Sequence, residues 1–165
     1  FINDLIVIVM VKKNKFYLIF AVLFFILIVN QNLYSNENLN FLSLKKNEVN
    51  LRQGPSFEYP IKLIYKKKYL PVIIIDKSGP WKKIKDFESN TGWIHTALLS
   101  KKKSAINIKK NSIIYKKSTI YSEPIVRLEI GRLVLIDKCK ENWCKVFSDK
   151  YKGWILKKYL WGKTD

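Results

Sequence analysis

The sequence predicts an all-β protein built as two small barrels in tandem, preceded by an N-terminal apolar helix. Three observations carry that prediction. Beyond residue 40 no stretch keeps a helical apolar period; short runs rich in Val, Ile, Tyr and Trp alternate with Gly, Pro, Asn and Asp. A block of Trp- and Gly-containing strands then occurs twice. Ahead of both lies an uninterrupted apolar run over residues 16–29.

The apolar run follows Met10, Lys12, Lys13 and Lys15, the layout of an export signal with a charged start and an apolar centre. As a helix it reaches about 21 Å, short of the roughly 30 Å of a bilayer's hydrocarbon core. A signal peptide over residues 1–35, cut near the small residue Ser35, is the expectation; an uncleaved membrane anchor is the alternative. Residues 1–9 take no part in either reading and read as a spurious, mis-called start or as a fragment end. Both readings place the rest of the chain in the periplasm or cell envelope. Residues 36–44 read as a linker.

Strands are expected over residues 49–52, 61–65, 70–75, 81–85 and 92–95, then over 113–115, 126–128, 133–137, 143–147 and 153–156. Turn residues separate them at the short spacing of sandwiches and small barrels. Trp81-Lys-Lys-Ile-Lys-Asp86, a turn and Gly92-Trp93-Ile94 recur as Trp143-Cys-Lys-Val-Phe-Ser-Asp149, a turn and Gly153-Trp154-Ile155. Upstream, apolar strands ending in Asp76 and Asp137 match, and Asn50-Leu51-Arg52-Gln53-Gly54-Pro55 is set against Thr119-Ile120-Tyr121-Ser122-Glu123-Pro124. The domains are therefore a first barrel over 45–100, a basic connector over 101–111, a second barrel over 112–161 and a tail over 162–165. Within the connector, residues 105–108 read as a short terminal strand of the first barrel.

Charge and cysteines bound the function. The formal charge is +18, and all but three (Arg52, Arg127, Arg132) of the 31 basic residues are Lys. Such a field attracts polyanions, yet Lys lacks the planar fork that grips phosphate, and export disfavours nucleic acid as the partner. A/T-rich codon usage also accounts for abundant Lys, Asn and Ile. Cys139 and Cys144 flank a turn between two strands, and in an oxidising compartment they read as a disulfide. With His95 as the single histidine and no further Cys, no four-ligand zinc site can be assembled, and no metal or cofactor is expected.

With these motifs in order, the chain resembles the bacterial SH3 (SH3b) family. Asn50-Leu-Arg-Gln-Gly-Pro-Ser56 is similar to the family's opening element; the apolar strand, the Trp strand and Gly-Trp-Ile with a Leu-ended turn follow. The whole pattern resembles an exported two-domain proteobacterial subgroup. The resemblance implies strongly bent, five-stranded SH3-like barrels, with cell-wall or protein binding and no inherited catalytic pattern.

The first barrel carries the expected binding residues. Small barrels bind ligands in aromatic-lined grooves between their loops. Arg52, Phe57, Tyr59, Tyr65, Trp81 and His95 are the candidates, with Arg52 either a carboxylate anchor or ion-paired to Glu58. Trp93, Trp154 and Trp143 are read as packing residues of the repeat core. Lys66, Lys67 and Lys68, with Lys101, Lys102 and Lys103, are either solvated loops or an anion-binding surface for wall polymers or lipid head groups. A catalytic Cys–His pair is disfavoured because His95 and the cysteines belong to different units. Asp76 with Asp86, or Asp137 with Asp149, is more simply turn chemistry than a carboxylate pair. The expected function is a non-catalytic envelope module recognising peptidoglycan or its stem peptides; a periplasmic protein-interaction adaptor is the alternative, and a cell-wall hydrolase comes third.

Overall fold

The computed structural model describes residues 40–164. The signal or anchor expected over 1–35 lies outside the described residues. Among those residues no helix is long and apolar enough to cross a membrane. The strands are β1 (Phe41–Leu44), β2 (Val49–Arg52), β3 (Ile61–Tyr65), β4 (Pro71–Ser78), β5 (Trp81–Lys85), β6 (Thr91–His95) and β7 (Leu99–Ser100). They form one antiparallel sheet in the order β3-β2-β6-β5-β4-β1-β7. Then come β8 (Ser104–Asn107), β9 (Ser112–Tyr115), β10 (Pro124–Leu128), β11 (Leu133–Lys140), β12 (Trp143–Ser148), β13 (Tyr151–Leu156) and β14 (Leu160–Gly162). These repeat the plan as β10-β9-β13-β12-β11-β8-β14. Over the described residues the protein is all-β, two small SH3-like barrels in tandem.

Each sheet bends where a bulge interrupts its longest strand, between Ile74 and Asp76 on β4 and between Ile136 and Lys138 on β11. β4 runs on to Ser78 and β11 to Lys140, so Asp76 and Asp137 lie within strands instead of ending them. The bulged position itself is Ile75 in one barrel and Asp137 in the other. Asp76 is therefore matched by Lys138, one residue from the pairing expected.

Two further corrections concern short strands. Residues 41–44, expected as linker, form β1, which pairs with β4 and β7. Residues 104–107, expected within a connector and as the end of the first barrel, form β8, which lies between β11 and β14 of the second sheet. Partners far along the chain, not local propensity, create both strands.

The interiors follow strand alternation. Leu44, Val49, Leu51, Val72, Ile84 and Ile94 fill the first barrel, and Ala105, Ile114, Val134, Cys144, Val146 and Ile155 the second. Fixed alternation decides which residue of Gly-Trp-Ile faces in. A Cβ at Gly92 would stand 2.7 Å from the Leu51 Cγ and the Arg52 carbonyl oxygen; at Gly153 it would stand 2.5 Å from the Ile114 Cγ2 and the Tyr115 carbonyl oxygen. Glycine thus lets β6 and β13 close onto β2 and β9. The residue two further on must share its inward face, so Ile94 and Ile155 are wholly buried while Trp93 and Trp154 lie half-buried outside. Reading Trp93 and Trp154 as core residues is corrected on that ground. Trp143 is also half-buried, packed edge-on against Tyr115 with ring centroids 5.9 Å apart.

Cys139 and Cys144 are directly opposed on β11 and β12 and form the disulfide. The matching pair in the first barrel is Lys77 and Lys82. Closing so short a loop removes unfolded-state entropy worth about 2 kcal/mol.

Candidate functional site

The β2–β3 loop of the first barrel assembles the site. The Gln53 N–H donates to the Pro60 carbonyl at 3.1 Å and closes the loop at its base. Gly54 lies beneath Tyr59: a Cβ there would stand 2.6 Å from three atoms of the ring, so glycine lets the phenol lie against the backbone. The Arg52 Nη1 donates to the Tyr59 carbonyl at 2.8 Å, fixing the guanidinium while leaving other N–H groups to act. Ser56 Oγ accepts the Glu58 N–H at 3.2 Å and turns the loop tip toward the sheet.

That tip brings Phe57 over β5 and β6. Its ring packs edge-on against Trp81 with centroids 4.9 Å apart and stacks on His95 at 5.7 Å. Trp81 and His95, directly opposed in the β5–β6 register, meet edge-on at 5.3 Å. The Arg52 guanidinium carbon lies 5.7 Å from the Phe57 centroid. His95 Nδ1 accepts the Ala97 N–H at 3.2 Å, which suits the tautomer protonated on Nε2. Phe57 remains 65% exposed and Tyr59 46%, whereas Trp81 is only 6% exposed and forms the floor. Five of the six expected residues, Arg52, Phe57, Tyr59, Trp81 and His95, therefore share one surface. Among the described residues no ion pair links Arg52 to Glu58.

Tyr65 does not join them. It faces inward from the end of β3, and its hydroxyl donates to Asp86 Oδ2 at 2.9 Å. Buried Asp86 also accepts the Glu88 N–H, the Asn90 N–H and the Asn90 side-chain amide, so its carboxylate holds the β5–β6 turn together. Burial first, and the Asp86 carboxylate second, push the Tyr65 hydroxyl well above the ordinary tyrosine range. Folded Tyr65 thus holds its proton more tightly than the unfolded chain, where tyrosine titrates near pH ~10. Its contribution to stability is complete below that pH and is lost as pH rises above it. Tyr65→Phe is expected to cost about 1 kcal/mol at neutral pH. In urea unfolding curves the gap to the parent protein should close above about pH 10; a gap unchanged in that range would refute the assignment.

The two Lys runs occupy different turns. Lys66, Lys67 and Lys68 are exposed between β3 and β4, where Lys68 Nζ lies 4.9 Å from the Tyr69 ring centroid. Lys101, Lys102 and Lys103 are exposed between β7 and β8.

The second barrel repeats the loop with different chemistry. Arg52 stands opposite Trp93 as Tyr115 stands opposite Trp154, and Gln53 N–H to Pro60 carbonyl is matched by Lys116 N–H to Glu123 carbonyl. The Ser56–Glu58 bond likewise has its counterpart in the Thr119 hydroxyl accepting the Tyr121 N–H. Tyr115, not Tyr121, therefore takes the place of Arg52, and the two loops have the same length. Ile120 replaces Phe57, Ser122 replaces Tyr59 and Leu156 replaces His95. Tyr115, Ile120 and Leu156 line a shallow pocket of about 130 Å³. A Ser or Thr two residues before Glu58 and Tyr121 was the available sequence signal for this register.

No curated protein matches the chain. Among solved structures it is similar to NlpC2 from Trichomonas vaginalis, at 15% identity over 77% of this chain and 49% of that one, with a TM-score of 0.36. It is also similar to NlpC1 from the same organism, at 14% identity over 77% and 47%, with a TM-score of 0.35. The chain spans about half the length of these structures. The family described as Bacterial SH3 domain matches twice, over residues 45–101 and 109–162. Matched in both halves and folded as two barrels of one plan, the chain belongs to the bacterial SH3 domain family.

Proposed function

We propose that the protein is a non-catalytic cell-envelope module whose first barrel recognises peptidoglycan through its stem peptides. Bacterial SH3 domains are generally cell-wall-binding modules, and a disulfide suits an extracellular or periplasmic protein. The observation that carries the reading is the exposed Phe57 ring, backed by Trp81 and His95 and flanked by Arg52 and Tyr59. Such a platform offers ring faces to aliphatic side chains and peptide planes. The free N–H groups of Arg52 suit a peptide carboxylate, and the loop bond to Tyr59 pre-orders the guanidinium so that less freedom is lost on binding.

Protein-free sacculi are expected to retain the full chain. Arg52→Ala and Phe57→Ala should each weaken retention about tenfold, the loss of one charge-assisted contact or one exposed anchor. Ile120→Ala, the second-barrel counterpart of the Phe57 change, should leave retention intact. Unchanged retention by both first-barrel variants would reject the site.

A periplasmic adaptor binding polypeptide is the competing reading, favoured by the Tyr115–Ile120–Leu156 pocket of the second barrel, which Lys109 and Lys110 border. It gains if sacculi fail to retain the parent protein at all.

A further inference from the structure

Two residues along β6 from His95, on the same outer face, the first barrel carries a second concavity outside the Phe57 platform. It is an open hollow of about 370 Å³ lined by Gln53, Lys62, Lys83, Thr91, Gly92 and Trp93. That volume lies within the roughly 300–1,000 Å³ of small-molecule pockets. Its lining holds two ammonium groups, an amide, a hydroxyl and an indole, and no acid.

Lys62 is held in place and keeps charge to offer. Lys62 Nζ donates to the Thr91 carbonyl at 3.0 Å, which spans β3 to β6 and leaves two of its three N–H groups free for other acceptors. Lys83 stands between Trp93 on β6 and Asp76 on β4 in the sheet register. Asp76 makes no ion pair with Lys83 among the described residues; its Oδ1 accepts the Lys77 N–H at 2.7 Å instead.

The second barrel supplies an internal control. The lysine matching Lys83 is Lys145, whose Nζ lies 6.0 Å from the Trp154 ring centroid. The residue matching Lys62 is Ile125, whose Cδ1 would stand 2.9 Å from a Cβ at Gly153 and so lies across the glycine. The two copies thus differ in charge at these positions: two lysines in the first barrel, one lysine and one isoleucine in the second.

From this we infer that the Lys62–Lys83–Trp93 cavity binds a single sugar unit bearing an anionic group, carboxylate or phosphate. The electron-rich indole face suits the C–H face of a pyranose. The paired ammonium groups take the anion, and Gln53 and Thr91 reach the sugar hydroxyls. This site is distinct from the Phe57 platform and does not depend on what that platform binds.

The test titrates the full chain with glucuronic acid, N-acetylglucosamine 1-phosphate, neutral N-acetylglucosamine and inorganic phosphate, following the Trp93 indole N–H resonance. At least one anionic sugar is expected to shift it, and which one does so separates a carboxylate from a phosphate source. Lys62→Gln with Lys83→Gln should weaken that binding by about tenfold or more. Phe57→Ala, which should abolish the platform, should leave it unchanged, so the two sites fail independently. The inference is overturned if neither anionic sugar moves the resonance, if the neutral sugar or inorganic phosphate binds as tightly, or if the double variant binds as the parent does.

Discussion

Gly153→Ala, or Gly92→Ala, is expected to destabilise its barrel by about 3 kcal/mol or more, the upper end of what overpacking costs. The added methyl would meet backbone as well as side chain: the Tyr115 carbonyl oxygen at 2.5 Å in one case and the Arg52 carbonyl oxygen at 2.7 Å in the other. A flexible side-chain end can swing aside, whereas these carbonyls cannot move without shifting β9 or β2. The contrast is Gly79→Ala, where a Cβ meets nothing within 4 Å and only the positive φ of 50° opposes it. That change should cost about 1 kcal/mol. Urea midpoints of the three variants measure the difference; equal losses at Gly79 and Gly153 would show that backbone conformation, not closure of the barrel, dictates the glycine. Gly92→Ala should also weaken retention on sacculi, because β2 carries Arg52 into the platform.

The same glycine shows where sequence reading succeeds and where it fails. Gly-Trp-Ile marks the strand and the repeat, and both are visible without coordinates. Which large residue faces inward is not, since period-two alternation admits either Trp or Ile until the close approach at glycine sets the parity. Tyr65 was misplaced in the same way: the residues around it on β3, Ile61, Leu63 and Ile64, are exposed, and only Asp86, 21 positions on, explains its inward turn. The platform itself was legible because Arg52 ends a strand, Phe57 and Tyr59 follow on the short loop after it, and Trp81 and His95 sit on neighbouring strands. The cavity beside Trp93 was not, because Lys62 and Lys83 are two among many lysines and only the sheet brings them to one indole. Residues 104–107 were hidden for another reason. Ile106 marks a strand there, but which barrel it joins is set by its distant partners β11 and β14.

Ile106→Ala on that strand is expected to lower the stability of both barrels together, by about 3 kcal/mol for a fully buried Ile cut to Ala. All four residues of β8 are buried, which an outer strand of a lone barrel would not show. Its alternation serves two interiors: Ala105 enters the core of the second barrel, while Ile106, paired with Leu133 and Trp161, enters the core of the first. Leu133 packs against that same first core, and Trp161 meets Phe41 edge-on at 5.0 Å and Phe87 at 6.3 Å. Gly162 lets β14 close onto β8, since at φ 153° a Cβ there would run into the Ser104 carbonyl oxygen and Ala105. The barrels therefore share a strand's two faces instead of hanging on a linker, and the first core is completed by Ile106 and Leu133 from the second sheet. Hydrogen exchange at the amides of Ile94 and Ile155 reads the coupling directly: in the parent protein the two should report one opening free energy, and in Ile106→Ala both should fall by the same amount. Loss confined to Ile94 would mean two independent barrels.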